Sequence, residues 1–143
     1  MAAQTRFALA PTARCSPALA PARRPRKLIW LDAASDELLH ALDRPPSGLS
    51  ARRLVKTLAE MMGLETQTML VRGSVDNATP DALDALGDAL RFIFPRRAYL
   101  GTISRRPAAE SGDPGLTPLA PLDLELAAAR IRRRAPGVDV RVY

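Results

Sequence analysis

A chain of 143 residues has room for one domain with its own core and is too short for two ordinary ones. It is 47% hydrophobic and 25% charged but only 4% aromatic, with 13 prolines, so its core must rest on Leu, Ala, Val and Ile. The net charge of +6 sits at one end: Arg6, Arg14, Arg23, Arg24, Arg26 and Lys27 fall in a leader free of acid, and thereafter 15 basic residues face 15 acidic ones. A neutral body argues against a basic patch on the folded surface, and nucleic-acid binding would have to depend on a flexible arm making salt-sensitive phosphate contacts.

Residues 1–27 read as a disordered basic tail, because no periodic apolar face is present to offset the entropy of ordering. Their Ala- and Arg-rich composition is shared with organellar transit peptides, but Pro11, Pro17, Pro21 and Pro25 interrupt any amphipathic helix. No apolar run reaches the roughly 18 to 20 residues that span a bilayer, and no secretory signal is evident, so the expectation is a cytoplasmic protein without a membrane partner. The single cysteine, Cys15, excludes an internal disulfide and any cysteine cluster of metal-ligand spacing. The single histidine, His40, has no second ligand beside it in sequence and reads as a packing or surface residue of a helix.

From Leu28 onward short apolar runs alternate with amphipathic stretches. Leu28 to Leu31 is too short for a helix and reads as a buried strand ending at Asp32. Ser35 is an N-cap signal, with Asp36 and Glu37 opposing the helix dipole ahead of Leu38, Leu39 and Leu42. Arg44-Pro45-Pro46-Ser47-Gly48 breaks that helix, and Ser50 opens the next, which carries Leu54, Leu58, Met61 and Met62 and stops at Gly63. Thr66 to Val71 is a second strand, left by the loop Arg72 to Asn77. Thr79 with Pro80 starts a helix bearing Leu83, Leu86, Leu90 and Ile93, which Pro95 ends. Ala98 to Ile103 is a third strand, followed by a polar, proline-rich excursion from Ser104 to about Pro121. A last helix runs from Leu122 to about Arg134, and Val138 to Val142 alternates as a terminal strand.

Strands separated by helices require a parallel sheet, since each crossover must carry the chain back along the sheet face. Barrels and doubly wound sheets both satisfy this order, and in either the chemistry collects in loops after the strand C-termini. Here those loops are Asp32 to Asp36, Arg72 to Asn77, and Thr102 to Arg106.

Four segments together resemble the later part of the radical S-adenosylmethionine (radical SAM) family, in particular its iron-sulfur oxidoreductase group. They are Trp30 to Glu37; Arg44-Pro45 with Gly48-Leu49-Ser50; Gln67 to Gly73 with Asp76-Asn77; and Pro95 to Thr102 with Arg105-Arg106-Pro107-Ala108-Ala109-Glu110. Order and spacing agree with the family over about residues 28 to 143. The resemblance implies an α/β fold, a partial (β/α) barrel of three or four parallel strands with helices on one outer face. It also implies S-adenosylmethionine and a [4Fe–4S] cluster held by a Cys-x3-Cys-x2-Cys loop near the start of the barrel. No such loop is present, so the cluster is not expected on this chain alone. On this reading residues 28–143 are the C-terminal half of a barrel, truncated or split from a half supplied upstream or by another chain.

By the same resemblance Asp32, Gln67, Arg72 and Thr102 fall at positions toward the cofactor, and Asp76 and Arg105 at positions toward a small-molecule substrate. Structural readings stand beside each: a helix-entry cap for Asp32, a surface ion pair between Arg72 and Asp76, and ordinary loop solvation for Thr102 and Arg105. Gln67, a polar residue within an apolar strand, needs partners and is expected in the barrel lumen. Arg130 to Arg134 reads as a solvated helix C-terminus that complements the dipole. A half-barrel is expected to expose two sheet edges and an apolar lumen, and so to be marginally stable or to associate. The alternatives are a non-catalytic binding or interaction domain and a basic-tailed nucleic-acid binder.

Overall fold

The structure, a computed structural model, describes residues 26–104 and 115–143. The expected disorder of the tail up to residue 25, Cys15 and Arg105 lie outside the described residues. The elements run β1 (Lys27–Trp30), α1 (Asp36–Leu42), α2 (Ala51–Ala59), β2 (Leu64–Gly73), α3 (Pro80–Ile93), β3 (Arg97–Thr102), β4 (Leu116–Pro118), α4 (Pro121–Arg134) and β5 (Val140–Val142). Lys27, assigned from sequence to the tail, starts the first strand. The expected caps form: the side chains of Ser35, Ser50 and Thr79 each accept an N–H of the first turn, from Leu38, Arg53 and Ala82.

β1, β2, β3 and β5 form a parallel sheet in that order, with Ile29, Thr66, Ala98 and Val140 level across it. The order never reverses. Right-handed crossovers then keep every helix on the same side, whereas a doubly wound sheet must reverse its order to cover both faces. The core agrees. Ile29, Leu64, Leu70, Ala98, Leu100 and Val140, all of one sheet face by register, share a single cluster with Leu58 of α2, Leu86 and Leu90 of α3, and Leu124 and Ile131 of α4. α1 closes one end through a smaller cluster of Ala33, Leu39 and Ala51, and the Asp36 carboxylate accepts the Ala51 N–H at 2.6 Å, tying the two helix N-termini together. The alternate residues, Leu28, Trp30, Glu65, Gln67, Met69, Arg97, Tyr99, Gly101 and Arg141, point to the opposite face, and none belongs to either cluster.

Four expectations are corrected. The polar excursion after β3 contains a strand, β4, which pairs antiparallel with the end of β2 (Val71 with Pro118, Gly73 with Leu116), so the sheet is not purely parallel. β2 is correspondingly longer than the apolar run that announced it, because its last residues have β4 as a partner. The second face, which no helix among the described residues covers, is not apolar either: rows of Trp30, Gln67, Tyr99 and Arg141, and of Leu28, Glu65 and Arg97, mix aromatic, amide and charged groups. Nor is the β5 edge fully open. The Arg132 guanidinium donates twice, at 3.2 and 3.0 Å, to the outward Val140 carbonyl, occupying the acceptor that a further strand would need.

α3 and α4 lie close enough that an ideal Cβ on Gly87 would sit 2.5 Å from the Arg134 Cβ. That approach aligns two ion pairs across the helices: Arg130 grips the Asp84 carboxylate with Nε and Nη2 at 2.7 and 2.8 Å, and Arg134 meets Asp88 at 2.6 Å. Arg130 holds the Asp84 carboxyl below the usual carboxylate range. Helix propensity alone would make Gly87→Ala stabilising by about 1 kcal/mol. The Arg134 contact reverses the sign here, and the variant is expected to melt several degrees lower by circular dichroism; a rise in Tm would show that the helices are not this close.

Candidate functional site

Where β1 leaves the sheet after Trp30, β2 continues for six residues and needs new partners on that side. They are side chains. Asp32 Oδ1 accepts the Met69 N–H at 2.7 Å, and Asn77 Oδ1 accepts the Val71 N–H at 2.8 Å. The Asn77 amide donates to the Met69 and Asp32 carbonyls at 2.8 and 2.9 Å. Asn77 is 2% exposed and has every hydrogen-bonding atom engaged, so it acts as a clamp joining the ends of β1 and β2. On the other side β3 ends at Thr102, whose hydroxyl donates to the Leu70 carbonyl at 2.7 Å and accepts the Leu119 N–H at 3.0 Å, handing β2 from β3 to the β4 segment.

The expected site residues divide accordingly. Gln67 lies in the middle of the sheet on the face away from the core, and Asp32 lies at the C-terminal end beyond β1, with its carboxylate on the Met69 N–H. Thr102 is committed to backbone groups. Arg72 and Asp76 do not form the ion pair considered from sequence: Arg72 reaches Asp123 at the start of α4 at 2.8 Å, and Asp76 accepts the Ala78 N–H at 2.8 Å in an Asx turn. The chain returns to β4 and α4 within reach of β2, which sequence spacing alone could not show. His40 is exposed on α1, and the basic run on α4 is largely spent on Asp84, Asp88 and the Val140 carbonyl, which removes it as a free cationic patch.

Two participants were missed. Asn77 entered the sequence reading only as part of a motif; a lone Asn ahead of an N-cap does not announce that it will be buried. Gly101 had a usable signal, since a glycine inside a β-rich run marks a bulge or a close approach. Here the Tyr143 ring lies against it, its hydroxyl accepting from the Gln67 amide and contacting Met69 Sδ at 3.6 Å, with the Tyr99 ring edge-on at 6.5 Å.

Electrostatically the site is dominated by Asp32. Removal from water pushes its carboxyl up to about 7, against the lowering effect of the Met69 N–H and with a further push from Asp43. Asp43 is itself raised by desolvation. A carboxyl poised near neutrality can give or take a proton where an ordinary aspartate cannot. Among the described residues no group of three or more His, Cys, Asp or Glu side chains could hold a metal ion, and no helix is long and apolar enough to cross a membrane.

A solved structure shares this architecture. A radical SAM methyltransferase from Sphaerobacter thermophilus superposes with a TM-score of 0.61 at 18% identity, over 82% of this chain. The match spans 33% of the methyltransferase chain, so the likeness is of fold and to a part of that protein. No family model matches the sequence, and no curated protein matches it.

The raised Asp32 pKa makes stability depend on pH in a definite direction. The native state holds this proton more tightly than the unfolded chain, so the benefit is complete below about pH 4 and is lost as pH rises through about 7. Asp32→Asn keeps an acceptor for the Met69 N–H without the charge. It is expected to raise Tm at pH 8, by the equivalent of a few kcal/mol at most, to leave Tm unchanged at pH 4, and to flatten the slope between; thermal melts at several pH values check this.

Proposed function

We propose that this chain is a radical SAM-type barrel segment whose uncovered sheet face is one wall of a ligand-binding lumen, able to bind S-adenosylmethionine or a related small molecule but not to cleave it alone. The observation that carries the reading is a sheet face that no helix among the described residues covers: four parallel strands in unbroken order, helices packed on the other side, and on this side a row of half-buried Trp30, Gln67 and Tyr99, with Asp32 beyond the end of β1. The fold likeness to part of a radical SAM methyltransferase supports it. Parallel sheets are normally covered on both faces, which favours a covering element on this one.

A [4Fe–4S] cluster would supply the electron that cleaves the sulfonium in this family. Holding one takes three or more thiolates, and the sequence contains one cysteine, Cys15, so the donor set does not fit the group. What the chain's own residues offer is positioning. Gln67 presents an amide, Trp30 and Tyr99 present rings, and Asp32 presents a carboxyl that changes charge near neutrality. Cluster chemistry would come from residues that complete the barrel, in the same polypeptide or in a separate chain.

The test joins binding to the lack of cleavage. Trp30 is the only tryptophan, so its fluorescence reports on this face alone. Titration with S-adenosylmethionine is expected to change Trp30 emission saturably. The same protein, treated with iron, sulfide and a strong reductant, is expected to produce no 5′-deoxyadenosine above a no-protein control. An unresponsive Trp30 removes the lumen reading, and 5′-deoxyadenosine from the isolated chain removes the dependence on a cluster-bearing partner.

A further inference from the structure

Gln67 is the side chain best placed to meet a ligand at the centre of the uncovered face, and it is already occupied. Its amide donates to the Tyr143 hydroxyl, which also touches Met69 Sδ at 3.6 Å. The ring can lie there only because position 101 has no side chain: a Cβ on Gly101 would be 2.5 Å from the ring carbon that bears the hydroxyl. Tyr99 completes the surround, its ring 74° to that of Tyr143 at 6.5 Å. The result is a seat shaped for a flat ring, with glycine backbone as its floor, an aromatic edge at its side, and an amide and a thioether at its far end. Tyr143 occupies it loosely. It is 58% exposed, and its backbone is attached to the sheet through one N–H, donated to the Leu100 carbonyl at 3.1 Å.

We propose that the Gly101 seat is a subsite for a planar aromatic or heteroaromatic ring carrying a hydrogen-bonding group on its edge, and that Tyr143 is a displaceable stand-in which holds it closed until such a ring competes. This rests on the reading of the face as a ligand wall and adds to it a class of ligand group and a residue that sets affinity. The physics is a population tax: a ligand sees only the fraction of molecules whose seat is empty, so a ring seated about nine-tenths of the time weakens apparent binding about tenfold. Gln67 loses nothing in the exchange, since a ligand edge atom takes over the acceptor role of the Tyr143 hydroxyl.

The experiment follows the Gln67 side-chain amide resonances by NMR in the full chain and in Tyr143→Ala, Tyr143→Phe and Tyr143→Ala/Gly101→Ala, using p-cresol and S-adenosylmethionine as probes. In Tyr143→Ala, p-cresol is expected to return the Gln67 signals toward their wild-type positions, since it is the missing side chain supplied free. S-adenosylmethionine is expected to bind about tenfold more tightly than to the wild type, a difference of about 1.4 kcal/mol. Tyr143→Phe, which keeps the ring and the fold but not the hydroxyl, should fall between. The added Cβ of the double variant should abolish the p-cresol response, with its amide spectrum otherwise preserved. Equal S-adenosylmethionine affinity in wild type and Tyr143→Ala, or a p-cresol response that survives in the double variant, overturns the subsite and leaves the ligand wall standing. Failure of every form to respond to either probe overturns both.

Discussion

The backbone of β2 has to be satisfied past the point where its neighbours stop, and the arrangement of the site follows from how that is done. Strand hydrogen bonds from β1 end near Gln67 and those from β3 near Leu70, yet β2 runs to Gly73. An unpaired N–H or C=O in this half-buried region would cost on the order of 1 to 3 kcal/mol. Asp32 and Asn77 supply the missing partners on one side, and Thr102 with β4 supplies them on the other. The polar residues at the mouth of the sheet are therefore structural before they are anything else. Asp32 is the exception in degree: the Met69 N–H holds one oxygen, while the loss of hydration leaves its charge poorly compensated.

Satisfying β2 in this way keeps the strands parallel and in unbroken order, and that order puts the apolar core on one side only. The other face is neither a core nor an ordinary wet surface. Its aromatic and amide residues are half-buried, Glu65 is buried beside Arg97 at 3.9 Å, and Tyr143 folds back over Gly101. Arg132 on the Val140 carbonyl blunts the β5 edge, which protects the sheet from pairing at random. Any strand added at that edge would have to move Arg132 aside.

Much of the fold was legible in the sequence because it is written in local signals. Ser35, Ser50 and Thr79 announced three helix starts, and each caps as expected. Leu28 to Leu31 was too short for a helix and Ala98 to Ile103 read as a strand; both are strands, running Lys27–Trp30 and Arg97–Thr102. Alternation alone left barrel and doubly wound sheet open, because strand order is a property of long-range pairing and both topologies share it; the resemblance favoured the partial barrel, and the unbroken order β1-β2-β3-β5 agrees. β4 was hidden for a related reason: Leu116-Thr117-Pro118 has no periodicity and becomes a strand only because β2 needs a partner there. At the site, strand alternation puts Gln67 on the face away from the core, whereas the partner of Arg72 could not be foreseen, since Asp123 is 51 residues away.

The central claim is that the face bearing Trp30, Gln67 and Tyr99 is a lumen wall built to be covered. Sedimentation velocity of the purified chain over a range of concentrations, with an apolar-surface dye followed in parallel, addresses it directly. A bare wall predicts either concentration-dependent association or dye binding that Trp30 reports by energy transfer. A compact monomer at every concentration that leaves the dye dark would contradict it.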